Sequence, residues 1–210
     1  MDVIEASHPL ADLWEKVKTG ERLTQEDGYR LMRSTDIIAL GYMANYVKEG
    51  RHAKRVYYSV DEHGDETNTL EMDPDFFSLT MEERVDRLLQ ARELQDQRAV
   101  YQAFQITRDP YGHDSTGYDD LRVIAVSRLL LDNIEHIQTS FSFADEKLVQ
   151  TALLFGVDDL LVTVENRQSL EKDKRTIEPK ELHRLIEKAG QIPVARDAHY
   201  NFLDLGLPVK

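Results

Sequence analysis

The sequence predicts an α/β fold: about four parallel strands flanked by helices and preceded by N-terminal helices. Three observations carry that expectation. Apolar residues recur at helical spacing up to residue 50, and the period then shortens to that of a strand at Arg55-Val56-Tyr57-Tyr58-Ser59-Val60. From residue 51 strand-like and helix-like segments alternate, which implies parallel strands joined by right-handed crossovers. The chain has 210 residues, 41% hydrophobic and 31% charged, so it can bury a core without disulfide or metal staples.

In chain order, Leu10, Leu13, Trp14 and Val17 mark a first helix closed by Gly20. Thr24 stands as an N-cap three residues before Asp27, with Leu31 and Met32 beyond. Gly28 inside this second helix costs it about 1 kcal/mol relative to alanine. Thr35 caps a third helix, Asp36 to Glu49, which Gly50 ends. After the first strand, residues 61–79 are polar, acidic and irregular. Thr80-Met81-Glu82-Glu83 is a capping box that opens a helix to about Gln97. A strand over Val100 to Thr107 leads to turn residues at Asp109-Pro110-Tyr111-Gly112. A helix over Asp119 to Asn133, a strand over Ile134 to Phe143 and a helix over Asp145 to Phe155 follow, the last ended by Gly156. A strand over Leu160 to Glu165 and a helix over Glu178 to Ala189 complete the alternation, and the tail from Gln191 reads as irregular with one short extended piece. Residues 1–50 thus form a helical segment packed as one unit with an α/β region over 51–210, whose few strands suit an open sheet rather than a closed eight-stranded barrel.

The composition removes whole classes of function. The absence of cysteine excludes disulfide scaffolds, thiolate zinc sites, cysteine nucleophiles and cysteine-ligated iron–sulfur clusters. A net charge of −13 repels phosphate backbones, so nucleic acid is not an expected partner. No apolar run nears the roughly 20 residues that cross a bilayer, and the start lacks a signal-peptide pattern; a cytoplasmic protein without membrane contact is expected. No Walker loop, dinucleotide fingerprint, nucleophile elbow or H-E-x-x-H pair is present. Asp61, Glu62, His63, Asp65 and Glu66 lack the spacing of a calcium loop and read as a solvated acidic loop, so no metal site is expected. Arg128 and Asp132, one helical turn apart, read as a helix-face ion pair. His136, just ahead of a strand, reads as structural, and Tyr57 and Tyr58 should face opposite sides of the sheet.

Several segments carry a resemblance. Glu21-Arg22-Leu23-Thr24 with Asp27-Gly28, then Leu40-Gly41-Tyr42-Met43-Ala44-Asn45, open the series. Glu83-Arg84-Val85-Asp86-Arg87-Leu88 and Ile124 through Ile134 continue it, followed by Phe155-Gly156-Val157-Asp158-Asp159-Leu160 and Pro193-Val194-Ala195-Arg196-Asp197. In this order they resemble the aminofutalosine synthase and cyclic dehypoxanthine futalosine synthase family. These are radical S-adenosylmethionine enzymes of the futalosine route to menaquinone. The resemblance implies a partial, half β/α barrel in which four strands correspond to the family's sixth, seventh, eighth and first. It also implies a [4Fe–4S] cluster and S-adenosylmethionine. The chain departs there: His63-Gly64-Asp65-Glu66-Thr67-Asn68 runs into Thr69-Leu70-Glu71 with no cysteine triplet, and resumes at Ser78 without the glycine-rich segment that would hold S-adenosylmethionine. No cofactor and no catalytic residue is therefore expected, and the chain alone should not perform radical chemistry.

Barrel logic puts ligands at the C-terminal ends of strands. Thr67, Asn68, Gln105, Ser140, Glu165 and His199 are accordingly the candidate substrate-binding residues, for a nucleoside-like or aromatic-carboxylate ligand. Where the family's sixth strand resembles Phe-Ile-Pro-Leu, this chain has Phe104-Gln105-Ile106-Thr107; where the seventh resembles Lys-Ala-Tyr-Trp, it has Gln138-Thr139-Ser140-Phe141. Leu161 and Val162 replace an acid–glycine pair in the eighth, and that apolar bulk suits a refilled core. Cutting a barrel exposes two sheet edges, so a homodimer joined through them is also expected. Three readings follow: a cluster-less relative that keeps small-molecule binding, a self-associating half-barrel module, and a natural or engineered deletion product without function.

Overall fold

The structure, a computed structural model, describes residues 4–59, 68–73, 75–106, 116–140, 146–161 and 179–204. Three helices open the fold: α1 (Ala11–Thr19), α2 (Gln25–Arg33) and α3 (Ile37–His52). Strand β1 (Arg55–Ser59) leads to β2 (Thr69–Glu71), a 3-10 turn (Phe76–Ser78) and α4 (Met81–Arg98). Then follow β3 (Ala103–Ile106), α5 (Gly117–Leu130), β4 (His136–Ser140), α6 (Glu146–Ala152), β5 (Asp159–Leu161), α7 (Pro179–Lys188) and β6 (Ile192–Arg196).

Local chemistry explains the helix starts. Thr24 accepts from Asp27 N while the Asp27 carboxylate accepts from Thr24 N, and Thr80 and Glu83 make the same reciprocal box at α4. Asp36, not Thr35, caps α3 by accepting from Ala39 N, and the helix runs through Gly50 to His52. Gly28 has a packing reason that outweighs its propensity cost: a Cβ there would stand 2.7 Å from Val85 Cγ1 and 3.2 Å from Leu130 Cδ1. Its bare backbone lets α2 lie against α4 and α5.

The sheet is parallel throughout, in the order β2-β3-β4-β5-β1-β6. The four expected strands lie adjacent as β3-β4-β5-β1, and two further strands, β2 and β6, flank them. Among the described residues the sheet therefore has six strands rather than about four. The cut edges foreseen from the sequence are covered: β2 pairs with β3, and β6 pairs with β1 over five residues. Residues 69–71, read as irregular, and 192–196, where the short extended piece of the tail was expected, supply those strands. On the outer side of β6, Pro193 offers no N–H, and the tail folds back so that Leu203 N donates to Ala195 O.

From β2 to β5, each right-handed crossover steps the same way along the sheet, which sends the helices to one face. Strand residues on that face join the apolar core: Val56, Tyr58, Leu70, Phe104, Ile106, Ile137, Leu160 and Ala195. The alternate residues, including Gln105, Gln138, Asp159, Tyr57 and Arg196, point to the opposite face, which would be the interior of a closed barrel. Tyr57 and Tyr58 thus part as expected, and the Tyr58 hydroxyl is hydrogen-bonded to His183 on the helix side. No helix among the described residues is long and apolar enough to cross a membrane.

Candidate functional site

Two buried polar networks lie near the lower half of this sheet. The first is centred on Asp158, one residue before β5. Its Oδ1 receives the Arg128 guanidinium and, at 2.9 Å, the N–H of Ile137. His136 Nδ1 lies 2.5 Å from its Oδ2, and His52 Nε2 lies 3.3 Å from the same oxygen. Arg128 also donates to the carbonyls of Gly156 and Glu135, both at 2.9 Å. The Arg128–Asp132 helix-face pair read from the sequence is not made: Arg128 turns inward to Asp158, and Asp132 pairs with Arg22.

Burial opposes ionisation of Asp158, but the charge of Arg128 and the hydrogen bond from His136 outweigh it and hold the carboxyl below its ordinary range. Burial likewise pulls His52 below its ordinary value, so its ring is neutral. Its Nε2 lies 3.1 Å from the Glu135 carbonyl, which can only accept, so Nε2 carries the proton. His52, His136 and Asp158 offer three ligand atoms within 4.8 Å of one another. The set does not suit a cation, because Asp158 is already neutralised by Arg128 and a divalent ion would adjoin a buried guanidinium. The network ties α3, α5, β4 and β5 at the N-terminal end of the sheet, the end that stabilises β/α barrels rather than doing their chemistry.

The second network crosses the inner face. Gln105, Gln138 and Asp159 stand side by side, because Gln105 registers with Gln138 and Gln138 with Asp159. Arg196 grips Asp159 with two parallel bonds, Nε to Oδ1 at 2.9 Å and Nη2 to Oδ2 at 2.5 Å. Gln138 Nε2 donates to Asp159 Oδ2 at 2.8 Å, and the Tyr200 hydroxyl donates to the same oxygen at 2.7 Å. Tyr200 stacks on His136 at 4.2 Å between centroids, and the Arg196 guanidinium lies 4.1 Å from the Tyr200 ring centre. Burial, then the Asp159 charge, raises the Tyr200 phenol far above its ordinary value, so it stays a donor. Phe202 stacks on Tyr57, and a turn built on the Asp197 carboxylate, which accepts from His199 N and Asn201 N, holds this tail against the sheet. Two acceptors remain unsatisfied: Gln105 Oε1 and Gln138 Oε1, on side chains 5% and 0% exposed, have no hydrogen-bond partner. Each such atom costs about 1–3 kcal/mol.

Of the six expected binding residues, Gln105 belongs to this face. Asn68 is half-buried just before β2, where its carbonyl accepts from Gln102 N and Ala103 N. Ser140 ends β4, registered with Leu161. His199 is exposed on the tail turn. Thr67 and Glu165, like Val162 and the acidic loop, lie outside the described residues. The apolar bulk expected at Leu161 lies beside a face whose middle carries Gln105, Gln138, Asp159 and Arg196. Sequence reasoning missed Gln138, Asp159, Arg196 and Tyr200 as site residues. The signal for Gln138 was the polar alternation His136, Gln138, Ser140 along β4.

Together, a parallel sheet and helices gathered on one face define the class: an α/β fold that matches part of a β/α barrel. The FeFe-hydrogenase maturase HydG of Carboxydothermus hydrogenoformans superposes with a TM-score of 0.61 at 11% identity, covering 91% of this chain and 81% of that one. The chain belongs to the CofH/MqnC C-terminal region family, whose pattern matches residues 90–209. It is 36% identical over 136 residues to aminodeoxyfutalosine synthase of Thermus thermophilus, covering 58% of this chain and 37% of that protein. It is 39% identical over 99 residues to the 5-amino-6-(D-ribitylamino)uracil–L-tyrosine 4-hydroxyphenyl transferase of Archaeoglobus fulgidus, covering 45% and 29%. Cyclic dehypoxanthine futalosine synthase of Streptomyces coelicolor matches at 33% over 133 residues, covering 59% and 33%. The chain spans about a third of the length of these curated relatives. The resemblance read from the sequence is therefore met, as distant homology. With no cysteine the chain has no cluster motif, and its donor set does not fit the family's iron–sulfur group.

Proposed function

We propose that this chain is a partial, cluster-less relative of the futalosine-type radical SAM enzymes that binds a small organic molecule on its inner face and does no radical chemistry by itself. The observation that carries the reading is the pairing of zero cysteines with a polar inner face. The electron-delivering cluster has no thiolates to hold it, yet the interior keeps buried hydrogen-bonding groups that a purely structural sheet would replace with apolar ones. Of the two ligand types expected, a nucleoside-like molecule is favoured over an aromatic carboxylate. Arg196 is already engaged by Asp159, and Gln138, whose Nε2 is committed to Asp159, offers a ligand only its Oε1, an acceptor that repels a carboxylate. Edge-joined self-association has less support, because β6 is shielded by Pro193 and the returning tail, and β2 offers three residues.

The test of the chemical half is reconstitution with iron and sulfide under reducing conditions, followed by assay for 5′-deoxyadenosine from S-adenosylmethionine. No product is expected above buffer controls. Stoichiometric cleavage would overturn the proposal.

A further inference from the structure

We infer that the outer stripe of α3 is a self-association surface, on which a second copy of this chain packs its own α3 antiparallel about a two-fold axis at Tyr42. Residues 37–47 form the longest stretch of the sequence free of Asp, Glu, Lys and Arg, in a chain that is 31% charged. One face of that stretch supplies core: Ala39, Leu40, Met43 and Ala44 are buried. The opposite face is uncharged as well. Ile38 is 64% and Tyr46 46% exposed, and half-buried Tyr42 stands midway between them. The spacing i, i+4, i+8 makes the three a single ridge. A helix face turned to solvent ordinarily carries charges. An uncharged one is what two chains of net charge −13 need in order to touch without repelling each other.

The ridge is its own complement. Ile38 and Tyr46 lie at equal distances either side of Tyr42, so a two-fold axis there sets Ile38 against Tyr46 of the partner subunit at both ends and packs i±4 ridges together. The same operation carries Glu49 to the level of Thr35, where α3 begins. A cavity of about 570 Å3 opens at that end, lined by His8, Arg30, Arg33, Ser34 and Thr35. Glu49 is exposed, accepts from Asn45 Nδ2 at 3.1 Å and makes no ion pair among the described residues. Arg30 and Arg33 pair with Asp12 and Glu82 across exposed surface, weak pairings that leave guanidinium N–H groups for a further carboxylate. The positive end of the α3 dipole adds to the attraction. Acid at one end of the helix and guanidinium at the other favour the antiparallel arrangement over the parallel one. Trp14 packs edge-on against Tyr46 and tilted against Tyr42, and so holds the ridge in place. One helix pair with its flanks falls at the low end of specific interfaces, so a weak, micromolar dimer is expected.

The test is sedimentation equilibrium of the full chain from low to high micromolar concentration, where a monomer–dimer equilibrium is expected. Trp14 is the sole tryptophan and lies against two ridge residues, so its emission should follow the same dilution curve. Ile38→Glu should weaken the dimer by about a hundredfold, because each change enters a two-fold interface twice. Ile38 is mostly exposed, so the monomer should keep its fold, which circular dichroism checks. Glu49→Arg should weaken the dimer by about tenfold, and Arg33→Glu added to it should restore the lost affinity. A monomer at every concentration would overturn the inference. So would a dimer that Ile38→Glu leaves unchanged, since the contact would then lie on another face, such as the β2 edge. A dimer lost in Ile38→Glu but unchanged in Glu49→Arg would overturn the antiparallel arrangement.

Discussion

Replacing Asp158 by asparagine removes one charge and almost no volume, so it isolates the electrostatic role of the buried network. Arg128 and Asp158 are both 0% exposed. In the variant the guanidinium keeps the Gly156 and Glu135 carbonyls but loses its counter-charge. Breaking one side of a buried pair costs about 3–5 kcal/mol. At about 2–4 °C per kcal/mol for a chain of this size, Tm should fall by roughly 10 °C. Urea unfolding followed by circular dichroism measures the loss, with an unchanged m-value to show that the folded surface is the same. The paired substitution Arg128→Met with Asp158→Leu should recover most of it, because an apolar pair leaves no stranded charge. The pH dependence supplies a second check. The folded-state pKa of Asp158 lies below its ordinary value of 3.8, so its contribution is present above that value and fades as pH falls through the folded pKa. The gap between parent and Asp158→Asn should therefore narrow in acid. A loss under 1 kcal/mol at neutral pH, or a gap that does not close, would refute the reasoning.

Two further outcomes follow from buried groups elsewhere. Lys48 is fully buried, donates to Leu153 O at 2.6 Å and Gln191 Oε1 at 3.0 Å, and burial lowers its pKa from 10.5 to about 8. The unfolded chain thus binds more protons than the folded one between those values, so stability should rise from pH 8 to 10.5, and Lys48→Met should flatten the rise in urea midpoints. Gly28→Ala gains about 1 kcal/mol of helix propensity but overpacks against Val85 and Leu130 at a cost of about 1–3 kcal/mol, so a net loss is expected. Adding Val85→Ala should remove the clash and leave only the cavity cost, a non-additivity that a double-mutant cycle reads directly.

How much of this was legible depended on distance along the chain. The capping boxes at Thr24 and Thr80 were readable because both partners lie within four residues. The order β3-β4-β5-β1 was readable through the resemblance, which supplied pairings that composition does not. β6 was foreseen only as a short extended piece, not as a sheet strand, because Pro193 argues against a central strand; an edge position next to β1 is what tolerates it. β2 was missed because three polar-flanked residues carry no period. Arg128 misled because Asp132 stands at the favoured i+4 spacing, while its actual partner is thirty residues away across a strand junction. The inner face escaped for the same reason. Asp159 and Arg196 lie on separate strands with β1 between them, and Gln138 becomes adjacent to Asp159 only when β4 meets β5.

The position of β1 also bears on how the chain acquires its structure. Tyr57 registers with Asp159 on one side and Val194 on the other, so an early strand has both its neighbours in the last third of the sequence. During synthesis β1 must wait, with Val56 and Tyr58 uncovered, until nearly all of the sequence has left the ribosome. Ladders that join such remote segments close late, since the entropy of the long intervening loop is lost before any contact repays it. β4 and the residues of α5 beside it can assemble meanwhile from local contacts. Insertion of β1 between β5 and β6 is therefore expected to come late, which leaves a strand edge exposed to capture by another chain in the meantime.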